Sequence, residues 1–187
     1  MTDLRELIEG CKRQNAKHQY EMYQMFSRSL FAVSIRYTNC RQDAEDVLQE
    51  AFVKIFQNIH TYSQDRSFEG WIRRIVINTA ITHYRKNLKH AYQDDVDSMW
   101  SLKNDDEPFS TDFTSEELMN AIGTLPAGYK MVFNMYVVEG YKHQEIAEIL
   151  GIDINTSKSQ LSRAKKFLQR ELAEMSKVYL TGYDEAR

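Results

Sequence analysis

The chain has 187 residues, 42% of them hydrophobic, and a formal net charge of −3. That length suits one ordinary domain or two small ones, and the acidic balance excludes a protein that coats nucleic acid by bulk charge. Seven Gly and two Pro are too few for a many-turned sheet sandwich, so an all-α fold is expected.

The opening stretch MTDLRELIEGCKRQN is charged throughout and does not read as a signal peptide. No apolar run approaches the roughly 18 residues of a membrane span, so a soluble, cytoplasmic chain without membrane insertion is expected. Cys11 and Cys40 are the only cysteines. They form no CxxC and have no His at ligand spacing, so neither a zinc site nor a disulfide framework is expected. Buried or half-buried thiols in a reducing compartment are the simple reading.

From Tyr20 to Asn87 apolar residues recur at helical spacing. DAEDVLQEAFVKIFQNI (43–59) predicts an amphipathic helix with Ala44, Val47, Leu48, Ala51, Ile55 and Asn58 to Ile59 on one face. Its opposite face carries Asp46, Gln49, Glu50, Val53 and Gln57. Such a face is ordinarily a solvated surface; Val53 in its middle points to an interface instead, and the pattern alone leaves both open. Ser67 is placed to cap the next helix, FEGWIRRIVINTAITHYRKN. Phe68, Ile72, Ile75, Val76 and Thr79 can face a core. Trp71, Arg74, Asn78, Thr82 and Arg85 fall on an adjoining stripe, with Arg73, Lys86 and Lys89 nearby. Guanidinium, amide and aromatic groups on one ridge suit phosphates and base faces. A basic surface helix with a core Trp has the same period. Ile77 and Ile81 point away from the first core face, which implies burial on two sides or a partner.

Residues 91–117 break the pattern. Asp94, Asp95, Asp97, Asp105, Asp106, Glu107, Asp112, Glu116 and Glu117 stand against Lys103 alone, with Pro108 among them. Such a segment reads as a flexible acidic linker extended by self-repulsion. Helical spacing resumes near Ser115 and runs to about Met175. The expected organisation is two small helical domains, 1–90 and 115–187, joined by the linker 91–114.

In the second domain EIAEILGIDINTSKSQLSRAK (145–165) predicts a helix-turn-helix. Ile146, Ala147 and Leu150 are apolar on the first helix, which begins at His143. Gly151 sits just past its end, and Asp153 or Asn155 can cap the second helix. There Ser157, Leu161, Ala164 and Leu168 share the inner face. Asn155, Ser159, Ser162, Arg163, Lys166 and Arg170 lie outside, flanked by Thr156, Lys158, Gln160 and Lys165. No carboxylate occurs from Asn155 to Arg170. A solvent face that avoids acids and offers hydroxyl, amide and guanidinium groups suits a major groove. The same period would serve a helical hairpin with basic trim, but the Ala–Gly–apolar spacing and one-signed outer face favour the helix-turn-helix.

Taken in order, these segments resemble the sigma-70 family of RNA polymerase sigma factors, in particular the small extracytoplasmic function (ECF) type that keeps only sigma regions 2 and 4. The resemblance covers about Tyr20 to Leu172. It implies that DAEDVLQEAFVKIF docks on the clamp coiled coil of the polymerase β′ subunit, with Asp43, Asp46, Gln49, Glu50 and Val53 as the contact set and Phe52 at the core edge. It implies that Trp71, Arg74, Asn78, Arg85 and Lys86 face the minus-10 element. Tyr62, in the loop 58–66, would stand beside an extruded base. It further implies that the helix carrying Asn155, Thr156, Lys158, Ser159, Gln160, Ser162, Arg163 and Lys166 reads the minus-35 element. Implied partners are core RNA polymerase (β′ clamp coiled coil and β flap), promoter DNA and an anti-sigma factor. Two positions depart from the family pattern: Thr82 stands where relatives often have Asp, and Ser157 where they often have Val. Ser157 is expected to satisfy its hydroxyl locally.

A stand-alone helix-turn-helix regulator binding duplex DNA as a dimer is the competing class; it leaves the 43–59 face and the acidic segment without a role. An enzyme is not expected. His18, His60, His83, His90 and His143 form no ligand spacing and no Gly-rich phosphate loop occurs, so no catalytic residue, metal or cofactor is assigned.

Overall fold

A computed structural model describes residues 3–63, 65, 67–91 and 113–184. It begins with a helix the sequence pattern did not single out, α1 (Leu4–Lys12). Asp3 caps it by accepting from the Arg5 N–H at 3.5 Å, and Leu7, Ile8 and Cys11 are buried. Gln14, at φ 56°, reverses the chain. Asn15 then caps α2 (Ala16–Tyr37), accepting from the N–H groups of Lys17 and His18 at 3.0 and 3.2 Å. Gly10 leaves room for this corner, because a Cβ there would lie 2.3 Å from the His18 ring and would have to displace it.

The predicted helix at 43–59 is α3 (Arg41–Asn58), closed by a 3-10 turn at Ile59–Thr61. Ala44, Val47, Leu48, Ala51 and Ile55 are buried as expected. Asn58 is a correction: it is exposed, and its amide donates to the Lys54 carbonyl at 2.8 Å. Phe52 is fully inside, its ring 4.7 Å from that of Tyr23. Cys40 also corrects the expectation. It is exposed at the N-cap of α3, where its sulfur accepts from the Asp43 N–H at 3.4 Å; only Cys11 is buried.

Helix α4 (Phe68–Ala91) starts where Ser67 predicts, the Ser67 hydroxyl accepting from the Gly70 N–H at 3.3 Å. It packs against both α2 and α3. That explains why Ile77 and Ile81 are buried along with Phe68, Ile72 and Val76, each contributing about 1.5–3 kcal/mol. Ile75 is only half-buried.

The second unit opens with α5 (Ser115–Gly123), where Thr114 and Glu117 form a reciprocal capping box. α6 (Ala127–Phe133) runs into a π-helical turn (Asn134–Val138), and α7 (His143–Leu150) and α8 (Ile154–Asp184) follow. α5, α6 and α7 all pack on α8. Met131, Val132, Met135, Ile146, Leu161 and Ala164 make its core. Helix α8 continues past Met175, where periodicity fades, because a helix already nucleated by packing extends at one hydrogen bond per residue.

The chain is all-α, with no strand among the described residues, and it divides into two compact units, Met1–Tyr92 and Gln93–Arg187. Residues 92–112, which hold most of the expected acidic linker, lie outside the described residues. Among the described residues no helix is long and apolar enough to cross a membrane.

Candidate docking and nucleic-acid interfaces

On α3 the stripe predicted for docking divides in two. Asp46 and Gln49 are exposed, and Val53 retains 54% of its surface. Asp43 and Glu50 are half-buried. Glu50 is ion-paired with Lys54 at 2.7 Å, and Lys54 also donates to the Thr79 hydroxyl on α4 at 3.3 Å. The Lys54 hydrogen bond, aided by the charges of Lys54, Lys86 and His83, holds the Glu50 carboxyl below its ordinary value despite partial burial. Beside Gln49, a depression between α2 and α3 is lined by Tyr23, Phe31, Arg41 and Glu45 among others. Arg41 pairs with Glu45 at 2.8 Å and lies 5.5 Å over the Phe31 ring. The α2 contribution is not visible in the sequence, where the stretch before residue 43 shows only a general helical spacing and nothing marks Tyr23 or Phe31 as neighbours of Gln49.

On α4 the exposed ridge holds Arg74, Asn78, Arg85 and Lys86. Trp71 is half-buried and belongs to an aromatic cluster. Its ring is 5.8 Å from Phe68 and 5.6 Å from Tyr62, and Tyr62 meets Phe68 edge-on at 5.0 Å. The structure thus brings Tyr62 and Trp71 together at the start of the ridge and roots both on the buried Phe68. Thr82 turns its hydroxyl back onto the Asn78 carbonyl at 2.8 Å, so it is satisfied within its own helix.

In the second unit Gly151 adopts φ 70° and ψ 35°, the left-handed conformation that ends α7. Asp153 is the residue that starts α8, its carboxylate accepting from the Asn155 N–H at 2.7 Å. Asn155, Thr156, Lys158, Ser159, Ser162 and Arg163 are exposed, while Gln160 and Lys166 are half-buried. Leu161 and Ala164 are buried opposite them and Leu168 is half-buried. Ser157 corrects the expectation of local bonding: its fully buried hydroxyl lies 2.9 Å from Nδ1 of His143. Nothing local announces this contact, since its partner is 14 residues away and on another helix.

Two stretches carry all three surfaces. Residues 22–89 match the family model of Sigma-70 region 2, and residues 115–168 match that of Sigma-70, region 4. The chain belongs to the sigma-70 family. This sigma factor is 28% identical over 147 residues to RNA polymerase sigma factor SigV of Bacillus subtilis, across 79% of this chain and 86% of that protein. It is 26% identical over 160 residues to ECF RNA polymerase sigma factor SigE of Mycolicibacterium smegmatis, covering 83% of this chain and 62% of that protein, less than two thirds of its length. Among solved structures, the sigma factor RpoE in complex with the anti-sigma factor NepR from Bartonella quintana aligns with a TM-score of 0.46 at 21% identity, over 83% of this chain and 96% of that one. In this sigma factor region 2 spans most of α2, α3 and α4, and region 4 runs from α5 into α8.

Proposed function

We propose that this chain binds core RNA polymerase and directs promoter-specific initiation, region 2 reading and helping to open the minus-10 element and region 4 reading the minus-35 element. One observation carries the DNA-reading half. In a chain of net charge −3, the exposed side of α8 from Asn155 to Arg170 has no carboxylate, opposite a buried Leu161–Ala164 stripe. Arg163, with Ser162, Ser159, Lys158 and Thr156, offers donors to base edges and phosphates. Gln160 and Lys166 flank them, and Asn155 opens the helix.

On region 2 the Asp46, Gln49 and Val53 face, with Asp43 and Glu50 at its border, docks on the β′ clamp coiled coil. Arg74, Arg85 and Lys86 take phosphates along the minus-10 strand and Asn78 takes a base edge. Tyr62 and Trp71 supply the ring faces on which an unstacked base is held, offsetting the few kcal/mol, roughly, that exposing it costs. Each reader alone grips weakly. Docking on polymerase fixes their spacing, so the second binds at high effective concentration. Region 4 would be held by the β flap, and an anti-sigma factor would silence the chain by covering these same faces. The chain would work in the cytoplasm, where polymerase and promoters are.

The deciding experiment mixes the pure chain with core RNA polymerase and a promoter library and reads run-off transcripts. Promoter-dependent transcripts are expected. No transcript from any promoter, together with tight dimeric binding to duplex DNA alone, would replace this reading with the stand-alone regulator.

A further inference from the structure

Ser157 lies in the first turn of α8, between Thr156 and Lys158, two exposed candidates for base reading. Its hydroxyl, with no exposed surface, is 2.9 Å from Nδ1 of His143, the first residue of α7. The same imidazole is stacked on Tyr136 of the π-helical turn, ring centroids 4.5 Å apart and planes 23° from parallel. One ring therefore ties the π turn, α7 and the start of α8 together. Partial burial, and then the charges of Lys158 and Lys165 on α8, hold His143 below its ordinary value of 6.5, so it is a neutral hydrogen-bonding group near pH 7.

A hydrogen bond has a preferred distance and direction, whereas apolar contact is non-directional. With an aliphatic side chain at 157, α8 would be held to α7 by area alone and could slide or roll by fractions of an ångström. A hydroxyl locked to a ring nitrogen removes that freedom at the turn that carries Thr156 and Lys158. We propose that His143 is a positioning residue for sequence reading: through Ser157 it fixes where the first turn of α8 meets the base edges, and so helps decide which minus-35 bases this chain prefers. The inference rests on the reading of α8 as the minus-35 reader.

The test uses the full chain bound to core polymerase. A minus-35 element is first selected from a random pool by the unaltered chain. A panel is then built with every single-base change in that element and one fixed minus-10 element. Ser157→Ala and His143→Phe are each expected to alter the ratio of preferred to disfavoured bases by about two- to tenfold at some positions, the range of one hydrogen bond. The double variant should alter it no further than either single change, since the two residues act as one unit. Unchanged ratios would overturn the proposal. So would equal weakening across the panel that tracks a lowered melting temperature, because the pair would then only hold the fold. If the unaltered chain selects no minus-35 element, the reading of α8 itself fails, and that outcome is seen before any variant is made.

Discussion

A methyl group on Gly10 would lie 2.3 Å from Cγ of His18 and closer than 3 Å to two more ring atoms. Alanine favours a helix over glycine by up to about 1 kcal/mol, but here the ring would have to leave its seat and α1 would lift from α2. Gly10→Ala is expected to destabilise the first unit by about 1–3 kcal/mol, read as a lower urea midpoint, with the loss reduced when His18→Ala is added. Asp46 and Glu50 share one stripe of α3 but differ in attachment: Asp46 is exposed, and Glu50 is paired with Lys54. That pair is more than a third exposed on both sides and is worth at most about 1 kcal/mol. Asp46→Ala with Glu50→Ala should therefore leave the melting temperature nearly unchanged while weakening co-elution with core polymerase by about tenfold or more; unchanged co-elution would remove this face from the docking surface.

At the level of elements, the direction in which His143 is shifted predicts a pH response of the helix-turn-helix. The His143 pKa is lowered in the fold, so the unfolded chain takes up a proton first as pH falls below 6.5. The stability contributed is complete above that value and is lost as pH drops through the folded value. Thermal melts at about pH 8 and about pH 5.5 should show the second unit losing stability at the acidic end, and His143→Phe should reduce that loss. The outer face of α8 makes a separate prediction. Arg163→Ala should weaken binding to minus-35 variants unequally, as a base reader does. Lys165→Ala should weaken all of them alike and lower the salt slope by about one, as a phosphate contact does. α3, α4 and the α7–α8 pair were legible from the sequence because each is long enough, or punctuated clearly enough by Ser67, Gly151 and Asp153, for a 3.6-residue period to stand out. α1 was not, since nine residues with Leu7, Ile8 and Cys11 give barely two turns of pattern. The His143–Ser157 contact was illegible for a different reason. It joins residues 14 apart, and only the crossing of two helices brings them together.

Across the whole molecule, charge is sorted rather than balanced. The exposed ridge of α4 and the outer face of α8 are basic, while nine carboxylates fall between residues 91 and 117 against one lysine, in a chain whose overall net charge is −3. On the proposed function, a chain arranged this way would have little non-specific hold on DNA by itself and would gain it when polymerase presents both readers together. Within the first unit, Lys54 touches Glu50 on the proposed docking face of α3 and Thr79 on α4. A genetic screen for lost polymerase binding would therefore return Glu50 for two unrelated causes, a missing contact with the partner and a Lys54 side chain released from its place beside Thr79, the second without an appreciable loss of stability. Asp46 and Val53 are the positions whose alleles report on docking alone, and suppressors of a Glu50 allele should be sought on α4 as well as on the polymerase.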